Sequence, residues 1–206
     1  MDTVKTPDAP GKATLLCGPM YSGKTARLIQ MIVEAQQQGR RVLYYKHAYD
    51  VGRHPSNPGA LISRTGETLE GSGTLLDFSE IEDNVADFDI VAIDEAQFFD
   101  PANLFSGVKS FLQRGKDVWL SALNSTSDLA VWDSIARVMP LLSETITLHA
   151  RCEVCGVAAL HSYRIPTPYE RTHRSTIRRP AVNVVASGDE KSTYEPRCTL
   201  CFDFIV

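Results

Sequence analysis

What this 206-residue chain lacks narrows its class first. No stretch approaches the ~20 consecutive apolar residues that a helix needs to cross a bilayer, so no membrane partner is expected. The opening "MDTVKTPDAPGK" has neither the basic start nor the apolar run of a secretory signal. A soluble, cytoplasmic protein with a short mobile tail over residues 1–11 is the simplest expectation. Basic excess is also missing. The chain carries 21 Lys and Arg against 25 Asp and Glu, a net charge of −4, so no nucleic-acid partner is expected of it as a whole. The local exception is "RTHRSTIRR", residues 171–179, which holds Arg171, Arg174, Arg178 and Arg179 and no acid. An exposed polar loop is the plainer reading of that segment, a polyanion site the sharper one. No internal repeat or low-complexity tract is present.

Cysteine is scarce, with five copies, but four of them are paired as Cys152-x-x-Cys155 and Cys198-x-x-Cys201. In an intracellular chain two such knuckles argue for one tetrahedral Zn²⁺ held by four thiolates rather than for disulfides. A Cys₄ set leaves no open coordination position, which makes the role structural. The 42 residues between Cys155 and Cys198 exceed ordinary finger spacing, so the metal would clip a long loop at its base. Cys17 stands apart and reads as a small core residue.

Four short apolar segments read as strands buried on both faces: "ATLLC" (13–17), "RVLYYK" (41–46), "DIVAID" (89–94) and "DVWLSAL" (117–123). A helical pattern over 25–38 places Leu28, Ile29, Ile32 and Val33 on one side and stops at Gly39. Another over 101–114 opens on Pro101 and stops before Gly115. Strands alternating with helices predict right-handed βαβ units, an α/β domain to about residue 150. The Gly-, Pro- and Ser-rich stretch 47–74 is too long for a routine connection and reads as a functional or disordered loop. A last apolar segment, 143–150, runs into the first cysteine pair.

Gly18-Pro19-Met20-Tyr21-Ser22-Gly23-Lys24-Thr25 satisfies G-x-x-x-x-G-K-[ST] between a strand and a helix. Glycines let backbone N–H groups turn toward phosphates at a helix N-terminus; Lys24 would reach the β/γ-phosphates and Thr25 would ligate Mg²⁺. Asp94, at the carboxyl end of a buried strand, fits the second acidic partner of Mg²⁺, which leaves Glu95 to act on a nucleophile. Glu95 would accept a proton from a hydroxyl or orient a water. These motifs reach Mg·ATP phosphoryl transfer or hydrolysis without choosing between kinase and ATPase. "DEAQ" (94–97) even resembles the acidic box of helicases, but the chain has no room for a second motor-like domain.

Together, "GPMYSGKT" (18–25), "KHAYD" (46–50), "IDEAQFF" (93–99), "GKDVWLSALN" (115–124) and the paired "CEVC…CTLC" give a chain that resembles the type II, zinc-containing thymidine kinase family over roughly residues 13–203. The resemblance implies a P-loop NTPase-like parallel sheet flanked by helices (12–150), followed by a small zinc-ribbon lasso domain (151–206) that closes over the nucleoside. It implies phosphorylation of the 5′-hydroxyl of thymidine, and of deoxyuridine, for DNA-precursor synthesis. It also implies Mg²⁺ with ATP, structural Zn²⁺, feedback by thymidine triphosphate and a homotetramer, or a dimer as the smaller alternative. By this resemblance Glu95 is the general base, Asp50 and Gln97 join the nucleotide site, and Arg53 neutralises the transferring phosphoryl. Met20, Phe98, Leu123 and Trp132 line the thymine pocket. Tyr194 contacts the sugar, and backbone amides of Val185, Ala186 and Ser187 bind the base. Two departures stand out: Ser127 occupies the position of a base-stacking aromatic, and the lasso is longer than usual by roughly a dozen residues, around the basic cluster. Two other readings compete, a zinc-ribbon nucleic-acid-binding NTPase and a catalytically weak nucleoside-binding relative.

Overall fold

The computed structural model describes residues 9–49, 57, 59–71, 73–75, 81, 87–166 and 194–202. Strands β1 (Ala13–Gly18), β2 (Val42–His47), β6 (Ile90–Asp94) and β7 (Asp117–Leu123) lie within a residue of the apolar runs that predict them. Two further strands complete a six-stranded sheet among the described residues, β5 (Gly73–Leu75) and β8 (Glu144–Thr147), in the order β5-β2-β6-β7-β1-β8. Every pairing in it is parallel. Parallel neighbours need crossovers, and α1 (Lys24–Gln37) and α2 (Pro101–Gln113) supply two of them.

The period-two alternation of each strand sorts its side chains onto two cores. Leu16, Ile90 and Ala92 face one side, where Leu28, Ile29, Ile32 and Ala35 of α1 cover them. Leu15, Val91, Ile93, Val118 and Leu120 face the other, under Leu104, Val108 and Phe111 of α2 and Ile135 and Val138 of a short helix α3 (Asp133–Val138). A sheet covered on both faces explains why its strands read as nearly continuous apolar runs rather than as alternation. α1 ends where Gly39 takes φ 78° and its N–H bonds the Gln36 carbonyl at 2.9 Å, while Arg40 N–H reaches Ala35 O at 3.0 Å. Gly11 is already anchored: its N–H donates to Leu112 O at 2.9 Å. The expected tail therefore ends before it, and residues 1–8 lie outside the described residues.

The stretch 47–74 differs from the irregular loop expected of it. Strands β3 (Ala60–Ile62) and β4 (Thr68–Glu70) form an antiparallel hairpin that buries Ala60 and Leu61 against the α1 side. Its turn is closed by Ser63 N–H to Glu67 O at 2.9 Å, with Gly66 at φ 98°. Three-residue strands carry too little alternation to be seen in sequence. The segment 143–150 also divides, because it has two sets of partners. β8 pairs with β1, whereas β9 (Ala150–Arg151) pairs with β10 (Ala158–Ala159) around the first knuckle. Beyond it, β11 (His161–Arg164) pairs antiparallel with β12 (Tyr194–Arg197).

α2 begins on a strong cap, since the Asp100 carboxylate accepts the N–H groups of both Ala102 and Asn103 at 2.9 Å, with Pro101 in the first turn. Asp100→Ala should cost about 1 kcal/mol, which for a chain of this size lowers the thermal midpoint by about 3 °C in a calorimetric scan.

Candidate active site

The phosphate loop, the Asp94–Glu95 pair and Leu123 lie at the carboxyl ends of the parallel strands. β1 ends at Gly18 and α1 begins at Lys24, so residues 19–23 turn the chain between them. Two residues in this turn hold left-handed backbone, Tyr21 at φ 66° and Gly23 at φ 79°. The loop's own side chains take up its carbonyls: Lys24 Nζ donates to Gly18 O at 3.2 Å and Pro19 O at 2.8 Å, and Ser22 Oγ donates to Pro19 O at 2.9 Å. Gly18 is required by close approach, for a Cβ there would sit 2.4 Å from Leu148 O and 2.6 Å from Ser22 Oγ. Leu148 cannot easily give way, because its N–H is bonded to Cys17 O at 2.7 Å.

Opposite the loop, Thr25 Oγ1 donates to Asp94 Oδ2 at 2.7 Å, and Asp94 Oδ1 accepts the N–H of Glu95 at 3.0 Å. Asp94 and Glu95 are only 3% and 9% exposed, so neither is a solvated turn residue. Glu95 has φ 55°, a strained conformation for a side chain of this kind and one that concentrates at functional sites. Gln97 holds it there. Its Nε2 donates to Glu95 Oε2 at 2.5 Å, its Oε1 accepts Leu123 N–H at 3.2 Å, and its carbonyl accepts Ser134 Oγ at 2.9 Å. The side chain of Gln97 thus joins Glu95 to the end of β7 instead of reaching the phosphate loop. A hydroxyl and a buried carboxylate oxygen facing each other are hard oxygen donors of the kind Mg²⁺ takes, so Thr25 and Asp94 fit that ion.

Because β7 lies between β1 and β6, its last residue falls between phosphate loop and Glu95. Leu123 and Trp132, both buried, belong to one apolar cluster against which Met20 and Phe98 pack. Phe98 meets the Trp132 ring edge-on at 5.7 Å and Tyr49 edge-on at 5.5 Å, and its centroid is 5.7 Å from His47. The indole Nε1 of Trp132 is buried without a hydrogen-bond partner among the described residues. Ser127, where the resemblance implies an aromatic, is half-buried. Tyr194 is half-buried on β12. Burial pushes its phenol up, with Arg164 pulling down and Asp128 pushing up, so it stays neutral at physiological pH and lies near the β7–α3 connection. Asp50, Arg53, Val185, Ala186, Ser187 and the basic cluster 171–179 lie outside the described residues.

The four paired cysteines converge from both knuckles. Their sulfurs all lie within 4.8 Å of one another, and Cys155 Sγ is 3.6 Å from Cys198 Sγ. Thiolates at ~2.3 Å from a tetrahedral Zn²⁺ would be about 3.8 Å apart, so the set fits that ion. Burial pushes the Cys152 thiol up, but N–H donation from Cys198, Cys155 and Val154 outweighs it and brings it to about 6. Hydrogen bonding with the Cys155 and Cys198 thiols, then burial, pushes Cys201 up to about 12. One thiolate forms easily in this cluster and the next is resisted, which a bound dication would reverse.

Three contacts escape sequence reasoning. The hairpin turn carries Arg64 over the Tyr21 ring at 4.3 Å, setting a guanidinium beside the phosphate loop. Ser162 Oγ accepts the N–H of Met20 at 2.9 Å, and Asn124 Nδ2 donates to Leu160 O at 2.7 Å. "SRTG" is a visible turn signal for the first; the other two join residues 142 and 36 positions apart and leave no local signature.

A glycine loop between strand and helix, ending in Lys-Thr and facing a buried Asp-Glu pair, defines a P-loop phosphoryl-transfer protein. The family model described as thymidine kinase matches residues 11–202, and the chain belongs to that family. A thymidine kinase of Rhodothermus sp. (strain ITI 518) is 31% identical over 199 residues, covering 93% of this chain and 81% of its own. One from Mycoplasma genitalium is 30% identical over 197 residues, covering 95% of this chain and 84% of its own. Among solved structures, AMPPCP-bound DnaA from Aquifex aeolicus aligns with TM-score 0.43 and 16% identity over 71% of this chain and 43% of that one, too loosely to bear on function. Among the described residues no helix is long and apolar enough to cross a membrane.

Gly18→Ala should distort the phosphate loop. Titration with a fluorescent, non-hydrolysable ATP analogue is expected to show binding weakened by about tenfold or more, since the added methyl meets backbone that cannot move.

Proposed function

We propose that the chain transfers the γ-phosphoryl of ATP directly to the 5′-hydroxyl of thymidine, with Glu95 as the general base. The observation that carries this is the buried, left-handed Glu95, held by Gln97 beside the Thr25–Asp94 pair. A carboxylate fixed by a neighbour rather than by solvent is suited to take a proton from a positioned hydroxyl. Lys24 would leave the Gly18 and Pro19 carbonyls for the phosphates of ATP. Thr25 and Asp94 would hold Mg²⁺, which neutralises charge on the phosphates. Phe98, Leu123, Trp132 and Met20 form an apolar box suited to a pyrimidine and its 5-methyl group. With Ser127 lacking a ring, the edge-on Phe98–Trp132 pair is left to supply the aromatic wall. The family resemblance adds Asp50 to the nucleotide site, Arg53 beside the phosphoryl, and Tyr194 with the 185–187 amides over the nucleoside. It also adds feedback by thymidine triphosphate and assembly as a homotetramer. Cys152, Cys155, Cys198 and Cys201 would hold a structural Zn²⁺ at the base of this closing segment, a unit of residues 151–206 set against a kinase unit of 12–150.

Glu95→Gln keeps the size of the side chain and an acceptor for Gln97 but removes the base. Its kcat should fall by about a thousandfold with ATP-analogue affinity nearly unchanged, and near-normal turnover would remove Glu95 from the role. A nucleoside panel with Mg·ATP, scored for 5′-monophosphate, tests the acceptor: thymidine-dependent ADP formation is expected. ATP turnover stimulated by single-stranded DNA alone would favour the nucleic-acid-binding alternative.

The metal has a separate check. Purified protein should carry one zinc per chain by elemental analysis, and chelation or Cys198→Ser should raise protease cleavage beyond residue 150. An unchanged digest with no bound metal would rule the clip out.

A further inference from the structure

The cysteine cluster and the phosphate loop are separate motifs in sequence, yet a short chain of hydrogen bonds connects them. Cys198 follows directly on β12, whose Pro196 carbonyl accepts the N–H of Glu153 in the first knuckle at 3.0 Å. β12 pairs with β11 in a register that sets Pro196 opposite Ser162 and Arg197 opposite His161. His161 Nε2 lies 3.1 Å from Thr199 Oγ1, inside the second knuckle. β11 is therefore fastened directly to the second knuckle and, through β12, to the first. From β11, Ser162 Oγ accepts the N–H of Met20 at 2.9 Å, in the middle of the phosphate loop. Two residues earlier, the Leu160 carbonyl accepts Asn124 Nδ2 at 2.7 Å, and the N–H of Asn124 donates to Gly18 O at 3.3 Å.

We propose that Ser162 is a positioning residue through which the cysteine clip sets the shape of the phosphate loop. Ser162 is 4% exposed, so water cannot readily replace its hydroxyl as the acceptor for Met20. The Met20 N–H is directed to β11, which fixes the plane of that peptide and so the path of the residues after it toward Gly23. Met20 also packs beside Phe98 against the apolar cluster that ends in Leu123 and Trp132, so one bond orients both the loop and a wall of the proposed nucleoside pocket. The role assigned to residue 162 is exerted through Met20, whose N–H it accepts. The dependence on the clip rests on the Zn²⁺ reading of the four cysteines, whereas the bond between Ser162 and Met20 stands apart from it.

The test compares wild type, Ser162→Ala and Ser162→Thr, each with zinc bound and after chelation. Readouts are affinity for a non-hydrolysable ATP analogue, hydrogen exchange of the peptide covering residues 18–25, zinc content, and the separate KM values for ATP and thymidine. Ser162→Ala should keep its zinc, bind the analogue about tenfold more weakly and exchange faster in that peptide, as a buried amide without its acceptor requires. Ser162→Thr, which retains the hydroxyl, should restore both. Chelation of the wild type should loosen the same peptide, and chelation of Ser162→Ala should add little, the non-additivity of one shared path. Unchanged affinity and exchange in zinc-loaded Ser162→Ala would overturn the positioning role. Chelation that loosens the loop equally in both proteins, or not at all in the wild type, would overturn its dependence on the clip. A protein that never carries zinc would do the same and would also end the metal reading, while the Ser162→Ala and Ser162→Thr comparison still decides the role of the hydroxyl. If Ser162→Ala does not fold, exchange in chelated wild type still decides the dependence.

Discussion

The hydrogen bond from Thr25 to Asp94 ties the first turn of α1 to the end of β6, across the intervening β7. A carboxylate 3% exposed survives burial only with partners, and those of Asp94 include the Thr25 hydroxyl and the Glu95 N–H. Most of the site follows from that pairing. The Glu95 N–H is drawn to Asp94 Oδ1, the backbone of Glu95 turns left-handed, and its side chain meets Gln97. The same pairing ties the end of the phosphate loop, at the start of α1, to the acid.

Gln97 carries the second layer of order. It touches the proposed base, the N–H that ends β7 and, through its carbonyl, Ser134 of α3. A single uncharged side chain thereby sets the distance between Glu95 and the apolar box around Leu123. An amide can donate and accept at once, which is what a position between a carboxylate and a backbone N–H demands. A carboxylate at position 97 would repel Glu95, and an apolar residue would leave the Leu123 N–H unpaired.

Among the described residues, the small sheets beyond residue 150 are attached to this site by side-chain hydrogen bonds rather than by a broad apolar face. Their own core among the described residues is small, Ala150 and Ala159 around the cysteines and the Tyr163–Phe202 ring pair, too little to hold a fold without help. A Zn²⁺ held by the four converging sulfurs would compensate for the small apolar area. The bonds from Met20 to Ser162 and from Asn124 to Leu160 then orient the assembly over the carboxyl edge of the parallel sheet.

Strong local signals were legible in the order of residues. The buried runs of β1, β2, β6 and β7, the glycine that ends α1, the phosphate loop and the cysteine pairs all depend on contacts within a few positions, and such contacts leave periodicities and spacings. The hairpin Ala60–Glu70 was hidden because its strands are three residues long, and α3 because six residues hold too little of a helical repeat. What Gln97 does could not be read either, since "DEAQ" has the same form whether the glutamine faces a nucleotide or its own glutamate. By itself, then, the sequence determined the class of chemistry and the elements that carry it. Only the tertiary structure decided which residue holds Glu95, which rings stand against Phe98, and that Ser162 grips the phosphate loop. Each of these is a contact between distant segments whose geometry is set by strand order and register, and no local pattern encodes those.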